Sequence, residues 1–189
     1  MTTKTPVSVY AGIDVGAEEL ILVLRQQGAS LKPQRFTNTT ADRARLLKKL
    51  ATFPGLTVSL EATGVYSLDL AVALHDAGVL VMVLNPKASH HFAQVLLRHS
   101  KTDGVDADTL AQYAECMPYQ PWARPSNEAL ALRVLARRLH ALTRQKAAAK
   151  NQLHALSVAA GTPPAVRQDL QMAIAQLEKR IAALTREAR

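Results

Sequence analysis

The sequence has little cysteine and no long apolar run. Cys116 is the only cysteine among 189 residues, which rules out an intrachain disulfide and a cysteine-based zinc site. No apolar run approaches the ~20 residues that a membrane-spanning helix needs. Residues 1–6 lack the apolar core of a signal peptide. We therefore expect a globular cytoplasmic protein with no membrane contact.

Acidic residues are scarce in the last third of the chain. Residues 121–189 hold four Asp/Glu against twelve Lys/Arg, whereas residues 1–120 hold eleven of each. The net charge of +8 therefore belongs to the last third. A neutral body with a basic arm indicates a polyanionic partner, such as a nucleic acid, bound by the arm. The alternative is a solvated helical surface that happens to be rich in Lys and Arg.

The first 117 residues have the pattern of an α/β domain. Short apolar runs predict strands at 7–14, 19–25, 34–37, 56–60 and 79–84. Helical spacing and capping residues predict helices at 41–52, 66–77, from Pro86 onward, and at 103–116. The order starts with a hairpin and continues with strands that are apolar on both faces, so we predict a mixed sheet with flanking helices.

The last third has a heptad pattern. Apolar residues recur at alternating spacings of three and four from Leu132 to Leu156, interrupted at Lys146, and again from Leu170 to Ala188. Residues 161–164 break the pattern, which predicts either an antiparallel helical hairpin or an arm that pairs with another subunit. We therefore divide the chain into a domain at 1–117, a proline-rich linker at 118–125 and a basic coiled-coil arm at 126–189.

Four acids lie where an α/β sheet places its chemistry. Asp14 ends the first predicted strand and Glu61 directly follows the fourth, and ligands bind at strand carboxyl ends. Asp103 and Asp106 are three residues apart, so they share one face of a helix. Clustered carboxylates repel one another unless a cation lies between them, and Mg²⁺ or Mn²⁺ prefers oxygen ligands. Any one of these acids alone could equally be structural, for example as a turn cap.

Several basic residues are candidates for contact with nucleic acid. Lys101 precedes the acid pair and could touch a scissile phosphate, although a surface lysine is an equal alternative. The other candidates form the densest basic stretch of the arm: Arg133, Arg137, Arg138, Arg144, Lys146 and Lys150. Contacts of this kind position a nucleic acid without reading its sequence. The alternative for the arm residues is an exposed flank of a coiled coil.

Four sequence motifs, taken together, resemble one known family. They are Gly-Ile-Asp-Val at 12–15, Leu-Glu-Ala-Thr-Gly-Val-Tyr at 60–66, Val-Leu-Asn-Pro at 83–86 and Lys-Thr-Asp-Gly-Val-Asp-Ala-Asp-Thr-Leu-Ala at 101–111. Their order and spacing resemble the DEDD-type insertion-sequence transposases, relatives of the Piv DNA invertase that include RNA-guided bridge recombinases.

The resemblance implies a fold, a site and partners. The fold would be RuvC-like, of the RNase H type, with Asp14, Glu61, Asp103 and Asp106 as catalytic metal ligands for Mg²⁺ or Mn²⁺. The substrate would be DNA, cleaved and transferred in a bacterial cytoplasm. A structured guide RNA and a homodimer or higher assembly through the coiled coil are the implied partners.

The sequence departs from this family in one respect. Family members continue into a second domain that carries a serine nucleophile, and no serine here sits in a matching motif. We therefore expect this sequence to correspond to an N-terminal portion that does not complete strand exchange alone.

Two other functions fit parts of the sequence. One is a non-catalytic module for nucleic-acid binding and dimerisation, in which the acids are idle. The other is an actin-like or sugar-kinase ATPase, which also has an Asp-x-Gly turn like residues 14–16. The ATPase is disfavoured because no second glycine-rich phosphate loop follows.

Overall fold

The computed structural model describes residues 8–96 and 103–188. The chain divides into two compact units, Met1–Arg124 and Pro125–Arg189. No helix within the described ranges has both the length and the apolar character that crossing a membrane requires.

The first unit contains all the strands of the described chain and four of its helices. In chain order these are β1 Val9–Val15, β2 Glu19–Gln26, β3 Ala29–Ser30, β4 Gln34–Thr37, α1 Thr40–Leu50, β5 Thr57–Glu61, α2 Val65–Asp76, β6 Leu80–Leu84, α3 Pro86–Val95 and α4 Asp103–Cys116. The second unit contains α5 Asn127–Val158 and α6 Pro164–Glu187.

The strands form one mixed sheet in the order β3-β2-β1-β5-β6, and β4 also pairs with β2. β1 is antiparallel to β2, whereas it is parallel to β5, which is in turn parallel to β6. An antiparallel meander followed by helix-connected parallel strands is the topology of the RNase H fold. The predicted mixed sheet with flanking helices is therefore confirmed.

Alternate residues of the central strands face different helices. Ala11 and Ile13 of β1 join the main core, where Leu46 of α1 and Leu70 of α2 cover the sheet. The opposite face packs on α4, since Ile21 and Val23 of β2 share a cluster with Ala107 and Ala111. The sheet is thus covered by helices on both faces, as parallel strands require.

Gly12 allows α4 to lie unusually close to β1. A Cβ atom at this position would overlap the carbonyl oxygen of Ala107 and the backbone nitrogen of Ala111. Ser59 of β5 fastens the same helix, because its buried hydroxyl donates to the carbonyl oxygen of Leu110 at 2.6 Å. A glycine and a small polar residue therefore hold α4 against the centre of the sheet.

The strand boundaries differ from the sequence prediction by one or two residues in several places; β1, for example, ends at Val15, one residue after Asp14. Glu61 is the last residue of β5 itself and does not merely follow it. The structure also adds the short strand β3, which the sequence analysis missed. Gln27 and Gly28 both have positive φ, at 50° and 78°, so they form a two-residue hairpin turn between β2 and β3.

Residues 118–124, assigned to a linker from the sequence, lie against the first unit. The backbone N–H of Trp122 donates to the carbonyl oxygen of Val81 at 2.9 Å, which places it beside β6. Arg124 donates to Asp76 at the end of α2, with Nε to Oδ1 at 2.7 Å. Trp122 and Arg124 therefore attach this segment to β6 and α2.

The second unit is an antiparallel helical hairpin, the first of the two alternatives for the arm. Glu178 of α6 pairs with Lys150 of α5 at 3.5 Å and with Lys146 at 3.9 Å. Leu142 is fully buried, whereas Leu132 remains 50% exposed. The difference follows from length, because α5 has 32 residues and α6 has 24, so α6 pairs only with the later part of α5.

Candidate active site

Asp14 and Glu61 are neighbours at the carboxyl edge of the parallel strands. Ile13 and Leu60 are register partners on β1 and β5, and the two acids are the next residue on each strand. Two residues earlier on each strand, Gly12 and Ser59 contact α4. Since side chains alternate along a strand, both carboxylates emerge on the α4 face, on strands roughly 4.8 Å apart.

Helix α4 brings the second pair of acids to the same edge. Asp103 is its first residue, and both Asp103 and Asp106 lie in its first turn. The close packing at Gly12 fixes where this turn stands relative to β1. Two strands and one helix therefore carry the four acids.

The pKa of Asp14 reports this arrangement. Burial is the largest cause that raises it, followed by repulsion from Asp106 and Asp103, and together with Glu61 these bring the pKa from 3.8 to about 6. A hydrogen bond with the Val15 backbone opposes the shift. All three predicted partners therefore act electrostatically on Asp14.

The four acids do not form a ready coordination shell. Within residues 8–96 and 103–188, no three His, Cys, Asp or Glu side chains stand close enough to hold a metal ion together. The structure thus brings the predicted residues into one electrostatic neighbourhood, and their role as metal ligands stays a prediction.

Ser89 is a member of this site that the sequence analysis did not select. Ser89 is buried, and its hydroxyl donates to Oε2 of Glu61 at 2.6 Å. Asn85 and Pro86 start α3 directly after β6, where the side chain of Asn85 caps the Lys87 N–H at 2.9 Å. Only this topology places Ser89, one turn into α3, beside the end of β5.

A second polar cluster holds α4 from the β2 side. Arg25 donates to Glu115 at 2.7 Å and to Ser30 at 2.6 Å, and it lies 3.6 Å from Asp108. Ser30 also donates to Asp108. Asp108 therefore contacts residues of β2 and β3 and helps to hold α4 beside them. Arg25 gave no signal in the sequence beyond a cation within an apolar strand.

The predicted nucleic-acid contacts separate into three groups. Arg133, Arg137, Arg138 and Arg144 are exposed on α5. Lys146 and Lys150 of the same helix pair with Glu178, so part of their charge is neutralised within the hairpin. Lys101 lies outside the described residues.

The mixed sheet, with its antiparallel meander and helix-connected parallel strands, has the RNase H-type topology and carries Asp14 and Glu61 near one edge. A family model described as a transposase, of the DEDD and IS110 type, matches residues 11–158. This match covers more than half of the chain, so the protein belongs to that transposase family. The recognition made from the four sequence motifs is thereby confirmed.

Solved structures and curated proteins add little to this assignment. RuvC of T. thermophilus in complex with a Holliday junction substrate is 19% identical and covers 61% of this chain and 99% of its own, with a TM-score of 0.43. A second Thermus thermophilus RuvC structure is 20% identical over 60% of this chain and 99% of its own, with a TM-score of 0.44. An Aquifex aeolicus member of the Ppx/GppA family is 12% identical over 49% of this chain and 40% of its own, with a TM-score of 0.34. No curated protein matches.

Proposed function

We propose that Asp14, Glu61, Asp103 and Asp106 bind Mg²⁺ or Mn²⁺ and that this site cleaves and transfers phosphodiester strands of DNA. The observation that carries the proposal is the side-by-side placement of Asp14 and Glu61 on adjacent parallel strands. The electrostatic action of Asp103 and Asp106 on Asp14 adds the second pair. These four are the acids that the family resemblance assigns to metal.

The donor set fits a hard divalent cation. All four groups are carboxylates, the ligands that Mg²⁺ and Mn²⁺ prefer. Their mutual repulsion destabilises the cluster, and a cation would convert this repulsion into attraction. When bound, a pair of such ions would activate an attacking oxygen and stabilise the leaving oxygen at a phosphodiester.

The fold sets the positions of the four acids. Asp14 and Glu61 are fixed by the strand ladder, whereas Asp103 and Asp106 depend on the seating of α4. Gly12 and Ser59 determine that seating. In this proposal, a displacement of α4 would move Asp103 and Asp106 relative to Asp14 and Glu61 and would weaken metal binding.

The arm supplies the attraction for nucleic acid in this proposal. Arg137 and Arg144 lie on one stripe of α5 and are exposed, as are Arg133 and Arg138. Exposed arginines bind phosphates of either DNA or a structured guide RNA, and such binding weakens steeply with salt. The part of the heptad seam that α6 does not cover, around Leu132, suits pairing with a second copy of the chain.

Calorimetric titration with Mg²⁺ tests the site. Wild type should bind, whereas Asp14→Ala and Glu61→Ala should lose most of the binding heat. Asp69→Ala is the matched control, because Asp69 is an exposed acid on α2. Identical titrations for all four proteins would remove the metal assignment.

A second function is favoured by the separate compact unit that carries the exposed arginines. In that case the chain binds nucleic acid and dimerises without performing chemistry. Salt-dependent binding of DNA or RNA that Glu61→Ala leaves unchanged, together with no cleavage in Mg²⁺ or Mn²⁺, would support it over the catalytic function.

A further inference from the structure

Ser89 makes the one described contact that fixes how the Glu61 carboxylate is turned. Its hydroxyl lies 2.6 Å from Oε2 of Glu61 and 3.0 Å from the carbonyl oxygen of Pro86. A serine has a single hydroxyl proton, and both neighbours are acceptors. The shorter hydrogen bond, to the charged oxygen, is the stronger one, so the Ser89 hydroxyl donates its proton mainly toward Glu61.

We propose that Ser89 is a positioning residue for metal binding: it holds one oxygen of Glu61, which would leave the other oxygen available to bind a cation. This inference rests on the proposed function. It concerns a residue on α3, an element that carries none of the four acids. In this proposal Ser89 acts through Glu61, the residue that its hydroxyl contacts.

The location of Ser89 supports this role. Leu84, the last residue of β6, is the register partner of Glu61, and α3 begins directly after it. Ser89 is only 7% exposed, so little of it is open to solvent. A glutamate has three rotatable side-chain bonds, and a bond from a fixed donor selects one of its orientations before a cation arrives.

Ser67 provides a matched control. It is also a buried serine in the first turn of a helix, and its hydroxyl donates to the Gly64 carbonyl oxygen three residues earlier, at 3.1 Å. Ser89 has the same relation to Pro86. The difference between the two is the bond to a carboxylate.

The test is Mn²⁺ titration of the full chain by calorimetry, with thermal unfolding in metal-free buffer as the measure of folding. Ser89→Ala should weaken Mn²⁺ binding by about 10-fold or more, as expected for loss of a residue that orients a ligand. Ser67→Ala should bind as wild type does. Threonine and valine have nearly the same shape, and valine has a methyl group where threonine has its hydroxyl. The Ser89→Thr variant should therefore bind Mn²⁺ more tightly than the Ser89→Val variant.

The outcomes separate the two proposals. If wild type binds no Mn²⁺, the proposed function fails and this inference fails with it. If wild type binds but Ser89→Ala binds equally well, only the role of Ser89 is overturned. Equal affinities for the threonine and valine variants would also overturn it, even if Ser89→Ala proved too unstable to measure.

Discussion

Asp14 directly follows Ile13 on β1, and Glu61 directly follows Leu60 on β5, where Ile13 and Leu60 are register partners on adjacent parallel strands. Both acids lie on the face of the sheet that α4 covers. The placement of these two acids is the structural feature on which the proposed function depends most. Two short apolar strands, far apart in the chain, each carry an acid at or one residue before their end, and the parallel ladder aligns those ends. The sheet thereby brings two acids together at the edge where the proposed cation would bind.

Replacing Asp14 by asparagine should stabilise the metal-free protein at neutral pH. Its folded pKa of about 6 exceeds the ordinary 3.8 because of burial and then repulsion from Asp106 and Asp103. The folded state therefore favours the protonated form, and stability falls as pH rises between these values. The Asp14→Asn protein should gain on the order of 1 kcal/mol, discounted for partial exposure, or about 2–4 °C in Tm at pH 7.

The pH profile of this gain is its check. Thermal unfolding should show no difference between Asp14→Asn and wild type below about pH 4, a growing difference up to about pH 6, and a constant one above it. Asp69→Asn, on an exposed position of α2, should follow wild type throughout. A gain that is independent of pH would show that ionised Asp14 is not the cause.

Gly12→Ala should be strongly destabilising. The added methyl group collides with the backbone of α4 at Ala107 and Ala111, which cannot rotate away as a side chain could. Overpacking of this kind costs about 1–3 kcal/mol or more, and urea unfolding measures it. The control is Gly104→Ala within α4, where a Cβ meets the Pro33 side chain at an ordinary 3.4 Å. There the gain in helix propensity should make the change neutral or stabilising by up to about 1 kcal/mol.

Arg25→Ala should cost far more than Arg35→Ala. Arg25 is only 8% exposed and holds Glu115, so its removal leaves the carboxylate of Glu115, 19% exposed, with the Gly28 N–H but without a cation. Such losses amount to about 3–5 kcal/mol. Arg35 pairs with Glu19 at 2.8 Å on the surface, where a pair contributes less than about 1 kcal/mol. Equal costs by chemical denaturation would contradict the role given to Arg25.

The arm arginines should control the salt dependence of nucleic-acid binding. The double variant Arg137→Ala with Arg144→Ala should weaken binding of duplex DNA and reduce the slope of log K against log salt by about 2, one unit for each lost phosphate contact. Lys48→Ala with Lys49→Ala on α1 removes the same charge from the first unit. If that control lowers the slope equally, total charge is responsible and the arm is not.

The sequence predicted most of the sheet because apolar periodicity, strand-end acids and capping residues are local signals. Helix α4 was predicted at 103–116, as observed. The predicted linker instead packs through Trp122 and Arg124, and these contacts are tertiary. A local pattern cannot show which partner a proline-rich segment will find.

The remaining site features also depend on packing that periodicity does not encode. Ser89 could be assigned to Glu61 only once α3 was known to start beside β5. Gly12 looked like one residue of an acid-bearing motif, and its close approach to α4 appears only in three dimensions. Leu132 fits the heptad pattern but is half exposed, because pattern does not fix the length of the partner helix.

A crystal structure of the chain grown with Mn²⁺ tests the central claim most directly, since anomalous scattering locates the metal. The account predicts Mn²⁺ bound to carboxylate oxygens of both Asp14 and Glu61, with Asp103 or Asp106 completing the set. Mn²⁺ absent from this edge at saturating concentration, or bound only elsewhere on the surface, would contradict it.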